Sequence, residues 1–191
     1  MEKVTIYSVP FDLGDINKNI IISTRSPSKP TREEIINQAF KFHSEGNLKN
    51  AAEYYKYFLD EGFTDPRVCS NYGDILKELG KLDEAEELTR KGIELNPNFS
   101  IAHFNLGNIL KSLGKLQEAE LSLRKAIELK PDFADAHLNL GNILEERGKL
   151  QEAEVSARKA IELKPDFALA HSNLGSILKE LPKLEEAEIS A

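Results

Sequence analysis

The chain has 191 residues, 25 of them basic and 32 acidic, for a net charge of −7. An acidic chain repels phosphate backbones, which argues against nucleic-acid binding. The single cysteine, Cys69, rules out an internal disulfide or a Cys-based zinc site and points to a reducing, cytoplasmic setting, and no run reaches the roughly 18 apolar residues of a membrane span.

In chain order, residues 1–31 read as a leader and linker. Val4–Val9 and Ile20–Thr24 have short β-like character, so the leader is expected to be non-helical or β-like. Asp12 and Asp15 interrupt any apolar core of a signal peptide. The segment Ser26-Pro27-Ser28-Lys29-Pro30 is linker-like, and Thr31 with Glu34 forms a capping box that starts the first helix.

From residue 32 the chain repeats. Gly73, Gly107, Gly141 and Gly175 are 34 residues apart, as are Pro97, Pro131 and Pro165, and Ala85, Ala119, Ala153 and Ala187. This period defines units 32–65, 66–99, 100–133 and 134–167, with a truncated unit 168–191. Each unit carries two stretches of helical periodicity. In unit 100–133 they are Ala102, Leu106, Ile109, Leu110 and Leu113, then Leu116, Ala119, Leu123, Ala126 and Ile127. Gly114 separates the two and Pro131 ends the second, because proline cannot continue a helix. Gly107, Ala119 and Ala126 are small so that two helix backbones can approach closely.

Departures are local: Gly92 stands at an alanine position, Pro182 replaces the turn glycine, and unit 32–65 is rich in aromatic residues. These aromatics read either as a cap over the open end of the stack or as a docking patch. The chain ends inside the second helix of its last unit, which predicts exposed apolar surface there, a route to self-association, and a chain length set by a cut.

The spaced pattern resembles the tetratricopeptide repeat family: unit 134–167 supplies His137, Leu140, Gly141, Gly148, Ala153, Ala160 and Pro165 at the family's positions. The resemblance covers residues 32–191 and implies an all-α solenoid, a right-handed superhelix of helix-turn-helix units that binds protein. The leader, the aromatic first unit and the following units together also resemble tetratricopeptide proteins of marine cyanobacteria, in which such an array can precede a transferase domain. The family's carboxylate clamp needs Lys at position 5, and here that position holds Ile36, Ser70, Phe104, Leu138 or Ser172.

Candidate chemistry is sparse. His103, His137 and His171 occupy position 4 of successive units, and stacked helices are about 8–10 Å apart, too far for one metal ion. They are expected to fill packing positions with a ring nitrogen bonded or solvated. Gly73 to Gly80-Lys81 imitates a phosphate loop with the wrong spacing and inside a helix. The acidic groups Glu84, Glu86 and Glu87 read as solvated helix-surface charges. No catalytic residue, cofactor or metal site is expected.

The strongest functional signal is a polar stripe along the first helix of each unit, at positions 2, 6, 9 and 13. Position 6 is Asn37, Asn71, Asn105, Asn139 and Asn173; position 9 adds Asp74, Asn108 and Asn142. Asn disfavours helix interiors, so five recurrences need a reason. Unit 32–65 matches unit 100–133 at only five positions, one of them this Asn. Either the amides bridge adjacent units, or they face a concave groove, where a donor and an acceptor suit an extended peptide backbone. The array resembles that of O-linked N-acetylglucosamine transferases, whose Asn ladder contacts peptide main chain. The expected function is a protein–protein interaction scaffold, with Arg67, Ile101, Asp135 and Leu169 setting preference; the alternative is the substrate-docking N-terminal region of a larger glycosyl- or sulfotransferase whose catalytic domain lies elsewhere.

Overall fold

The computed structural model describes residues 29–189, and side chains as far as residue 181. The β-like leader expected over 1–28 lies outside the described residues. Among the described residues there are nine α-helices: α1 (Arg32–Ser44), α2 (Leu48–Asp60), α3 (Pro66–Glu78), α4 (Leu82–Leu95), α5 (Ser100–Ser112), α6 (Leu116–Leu129), α7 (Ala134–Glu146), α8 (Leu150–Leu163) and α9 (Ala168–Ile189). They form the all-α solenoid that the sequence predicts. The start is capped as expected: the Thr31 hydroxyl accepts from the Glu34 N–H, and the Glu34 carboxylate accepts from the Thr31 N–H at 2.7 Å.

Each helix pair turns on a left-handed glycine. Gly46, Gly80, Gly114 and Gly148 have φ between 72° and 74°, a conformation that costs other residues a clash at Cβ. Pro182 occupies the equivalent place in the last unit. Proline's φ is locked near −65°, so that turn cannot form, and α9 runs on as one 22-residue helix. The separate second helix expected in the last unit is thereby corrected to a continuation of the first.

Pairing within units is the tightest packing. Each second helix also rests on the next unit's first helix, and first helices touch one another across α3–α5, α5–α7 and α7–α9. Helices α3, α5, α7 and α9 therefore form a continuous face on the inner side of the array. Between the layers lies a core of Leu106, Leu110, Leu123, Leu140, Ile143 and Leu144, all nearly inaccessible. Gly107 marks a close approach: a Cβ there would lie 2.7 Å from Leu123 Cγ.

The first unit fills the same space differently. Tyr55 and Phe58 are fully buried with Ile35, Ile36 and Val68, and Phe40, Phe42, Tyr54 and Phe63 pack around them. Tyr55 and Phe58 are core residues of this first unit, while Phe40, Phe42, Tyr54 and Phe63 remain half-buried around them.

Candidate functional site

The Asn stripe sits on α1, α3, α5, α7 and α9, and its amides bridge neighbouring helices. Asn139 Nδ2 donates to Asn108 Oδ1 at 2.7 Å, and Asn173 Nδ2 donates to Asn142 Oδ1 in the same way one unit on. Asn105 Nδ2 instead donates to the Ser70 hydroxyl at 3.0 Å and carbonyl at 3.3 Å, which leaves Asn105 only 7% exposed. Asp74, the position-9 residue of α3, accepts from Lys77 Nζ at 2.8 Å and not from Asn105. Asn71 donates to the Tyr55 hydroxyl at 3.3 Å, which also bonds His43 Nδ1 at 2.9 Å. Burial pushes the Tyr55 phenol above its usual pKa, partly offset by the bond from Asn71. Asn37 is exposed on α1.

The bridging role of position 6 is therefore realised at four junctions. Each bridge leaves polar atoms over. Asn139 and Asn173 spend one Nδ2 hydrogen on the bridge and keep Oδ1 whole; Asn108 and Asn142 spend one Oδ1 lone pair and keep both Nδ2 hydrogens. All four side chains are half-exposed. The seam over α5, α7 and α9 thus presents donors and acceptors in alternation, whereas at α3 it is occupied by Asp74, Lys77 and the inward turn of Asn105.

Three cations near this face, Arg67, Lys77 and Lys111, are engaged. Arg67 clasps the buried Asp65 through Nε at 3.0 Å and a terminal nitrogen at 2.8 Å, and stacks over Phe40 at 5.0 Å. Burial pushes the Asp65 carboxyl up, but the bonds from Arg67 and the Val68 N–H bring it below its usual value. Lys77 pairs with Asp74 and Glu78, and Lys111 with Glu146 at 2.7 Å across the α5–α7 junction.

The three histidines are loop staples, in keeping with their expected packing role. The Nε2 atoms of His103, His137 and His171 bond the carbonyls of Pro97, Pro131 and Pro165 at 2.8, 3.0 and 2.8 Å, six residues upstream in each unit. Among the described residues no group of three or more His, Cys, Asp or Glu could hold a metal ion.

Sequence reasoning missed an ion-pair ladder on the other face. Glu86 takes Arg90 of its own helix at 2.9 Å and Lys115 of the next unit at 2.7 Å, and Arg90 reaches Glu118 at 2.7 Å. One unit on, Glu120 takes Arg124, Lys149 and Arg147, and Arg124 reaches Glu152 at 2.5 Å. This corrects the reading of Glu86 as a solvated surface charge. The bond from Lys115 lowers the Glu86 pKa against a smaller upward push from burial; at Glu120 burial pushes up, and Arg124 and Lys149 outweigh it. The signal was present as Lys115/Lys149, Glu118/Glu152, Glu86/Glu120 and Arg90/Arg124 recurring at 34-residue spacing. Beside this ladder lie two equivalent shallow grooves, of about 410 and 370 Å³, around Val155 and Leu121.

Comparison with known proteins agrees with this architecture. Profiles described as tetratricopeptide repeat match residues 66–99, 88–120 and 134–167, and one described as TPR repeat matches 107–148. No curated protein matches the sequence significantly. Among solved structures, MamA superposes with a TM-score of 0.69 at 24% identity, over 82% of this chain and 85% of that one. YrrB, described as a TPR protein with an unusual peptide-binding site, gives 0.65 at 25% identity over 74% and 73%. The first TPR of Spaghetti (RPAP3), bound to the HSP90 peptide SRMEEVD, gives 0.61 at 25% identity over 62% and 94%. Matched continuously over 66–167, more than half of its length, the chain belongs to the tetratricopeptide repeat family.

Proposed function

We propose that this chain is a protein-interaction scaffold whose inner face, over α5, α7 and α9, binds an extended segment of a partner protein through its main chain. The observation that carries the reading is the leftover hydrogen-bonding capacity of the Asn seam: Nδ2 of Asn108 and Asn142, and Oδ1 of Asn139 and Asn173. An extended backbone offers carbonyls and N–H groups in the same alternation, whatever its sequence. Peptide binding by the similar YrrB and RPAP3 arrays supports the assignment. Asn71 and Asn105 serve the stacking of units, and Asn37 and Asp74 stand outside the open part of the seam.

The test exploits the split roles of the amides. In the double variant Asn108→Asp, Asn142→Asp, the carboxylates still accept the bridges from Asn139 and Asn173, but both groove-facing donors are gone. Binding is read on an array of uncharged 15-residue peptides and by fluorescence anisotropy, with thermal melting as the control. Two lost hydrogen bonds of about 1 kcal/mol each predict an affinity loss of about 30-fold with little change in melting temperature. Unchanged affinity with an intact fold would remove the assignment.

A further inference from the structure

Position 2 of the first helices forms a row beside the Asn seam, one residue per unit: Ile101 on α5, Asp135 on α7 and Leu169 on α9. The two apolar members are 42% and 63% exposed, and Asp135 between them is exposed as well. Arg67, the position-2 residue of α3, is held by Asp65 and Phe40, so the open row begins at Ile101. Charge in the open row is one-sided, because Lys179, an exposed lysine of α9, stands ten residues along its helix from Leu169. Lys77 and Lys111 are neutralised by Asp74, Glu78 and Glu146, whereas among the described residues no cation pairs with Asp135. A bound carboxylate would meet no free cation in the row, while a bound ammonium or guanidinium would meet Asp135.

Spacing adds a second constraint. Packed helices lie about 8–10 Å apart. An extended β-strand presents same-face residues every 6.6–6.8 Å or so, out of step with the row. A polyproline II segment rises about 3.1 Å per residue with three residues per turn, so its same-face residues recur every 9.3 Å or so, in step with it.

Resting on the peptide-binding reading above, we propose that the occupant is a polyproline II-like segment of a partner protein with an apolar residue, a Lys or Arg three residues on, and a second apolar residue three further. Its cation pairs with Asp135, and its apolar side chains cover Ile101 and Leu169. The same geometry discriminates against acidic tails.

The probe is the capped peptide acetyl-Ser-Pro-Leu-Ser-Pro-Lys-Ser-Pro-Leu-Ser-Pro-amide, with a second probe carrying Glu for Lys and a third with each Leu two residues from Lys. Anisotropy with the full chain should show the Lys probe binding about tenfold more tightly than the Glu probe at low salt, with the gap narrowing in 0.5 M salt. Asp135→Lys should reverse the order at unchanged melting temperature, and Leu169→Ser should weaken both probes alike. Equal binding of the Lys and Glu probes, or an order unmoved by Asp135→Lys, overturns the charge assignment. Equal binding of the third probe overturns the register. If none of the probes binds while uncharged array peptides do, this inference falls and the main-chain reading stands; silence in both experiments removes both. A concentration-dependent dimer abolished by Asp135→Lys would show a second copy occupying the row, and also overturns it.

Discussion

The first unit and unit 100–133 build the same helix pair from opposite materials. In the first, Ala39 shares one buried cluster with Tyr55 and Phe58; in the second, Gly107 faces the Leu123 side chain and the Ala119 carbonyl. The aromatic pair fills its space with rings and ties Tyr55 into His43 and Asn71 by hydrogen bonds. The later pair removes side-chain volume at the contact and lets backbones approach, then ties units together with amides inside and ion pairs outside. The fold therefore constrains the sum of volumes at facing positions more than the identity of any one of them.

The largest test of this contrast is Phe58→Ala. Removing a fully buried ring should cost about 3–5 kcal/mol, read as a lower urea midpoint and, if the first unit gives way alone, as a second unfolding transition. Next come the glycines of position 8, which share a consensus and differ in surroundings. A Cβ at Gly107 would sit 2.7 Å from Leu123 Cγ, and one at Gly73 would sit 2.1 Å from Thr89 Oγ1. Alanine at either should destabilise by about 1–3 kcal/mol. At Gly141 the nearest atom is Ala153 O at 3.4 Å, an ordinary contact. Gly141→Ala should accordingly stabilise by about 0.5–1 kcal/mol, through helix propensity. Equal effects at all three would show that the pair separation is uniform after all.

A smaller effect is expected at Thr89, which is fully buried with no hydrogen-bond partner for its hydroxyl. Thr89→Val keeps the shape and removes the unsatisfied group, for a gain of about 1 kcal/mol in thermal melting. The smallest concerns pH. Glu86 and Glu120 have lowered folded pKa values, so their stabilisation is fully present above the unfolded value of 4.5 and is lost as pH falls through the folded values. Melting temperature should therefore drop on acidification below about pH 4.5, and Glu120→Gln should flatten that slope. An unaltered slope would assign the acid sensitivity to other carboxylates.

Most of the fold was legible in the sequence because a 34-residue period fixes helix lengths, turns and pairing together: Gly114 and Gly148 mark turns, and Pro131 and Pro165 mark helix ends. Pro182 was legible as a departure, but its consequence, a continuous α9, depended on whether the neighbouring residues stay helical. The candidate site was half legible. Recurrence placed the asparagines on one stripe, since helical periodicity alone sets which residues share a face. Their division of labour was not, because it turns on partners 31–35 residues away: Asn108 for Asn139, but Ser70 for Asn105. The ion ladder through Glu86 and Glu120 was hidden for the same reason.

What the sequence by itself determined is the repeat, the helix boundaries of units 32–65 to 134–167 and the stripe, all of which follow from local periodicity and backbone chemistry. What only the tertiary structure decided is which polar atoms each stripe residue has left after stacking. That residue of unspent donors and acceptors depends on the contacts between units, and contacts between units are properties of the packed array rather than of any one segment.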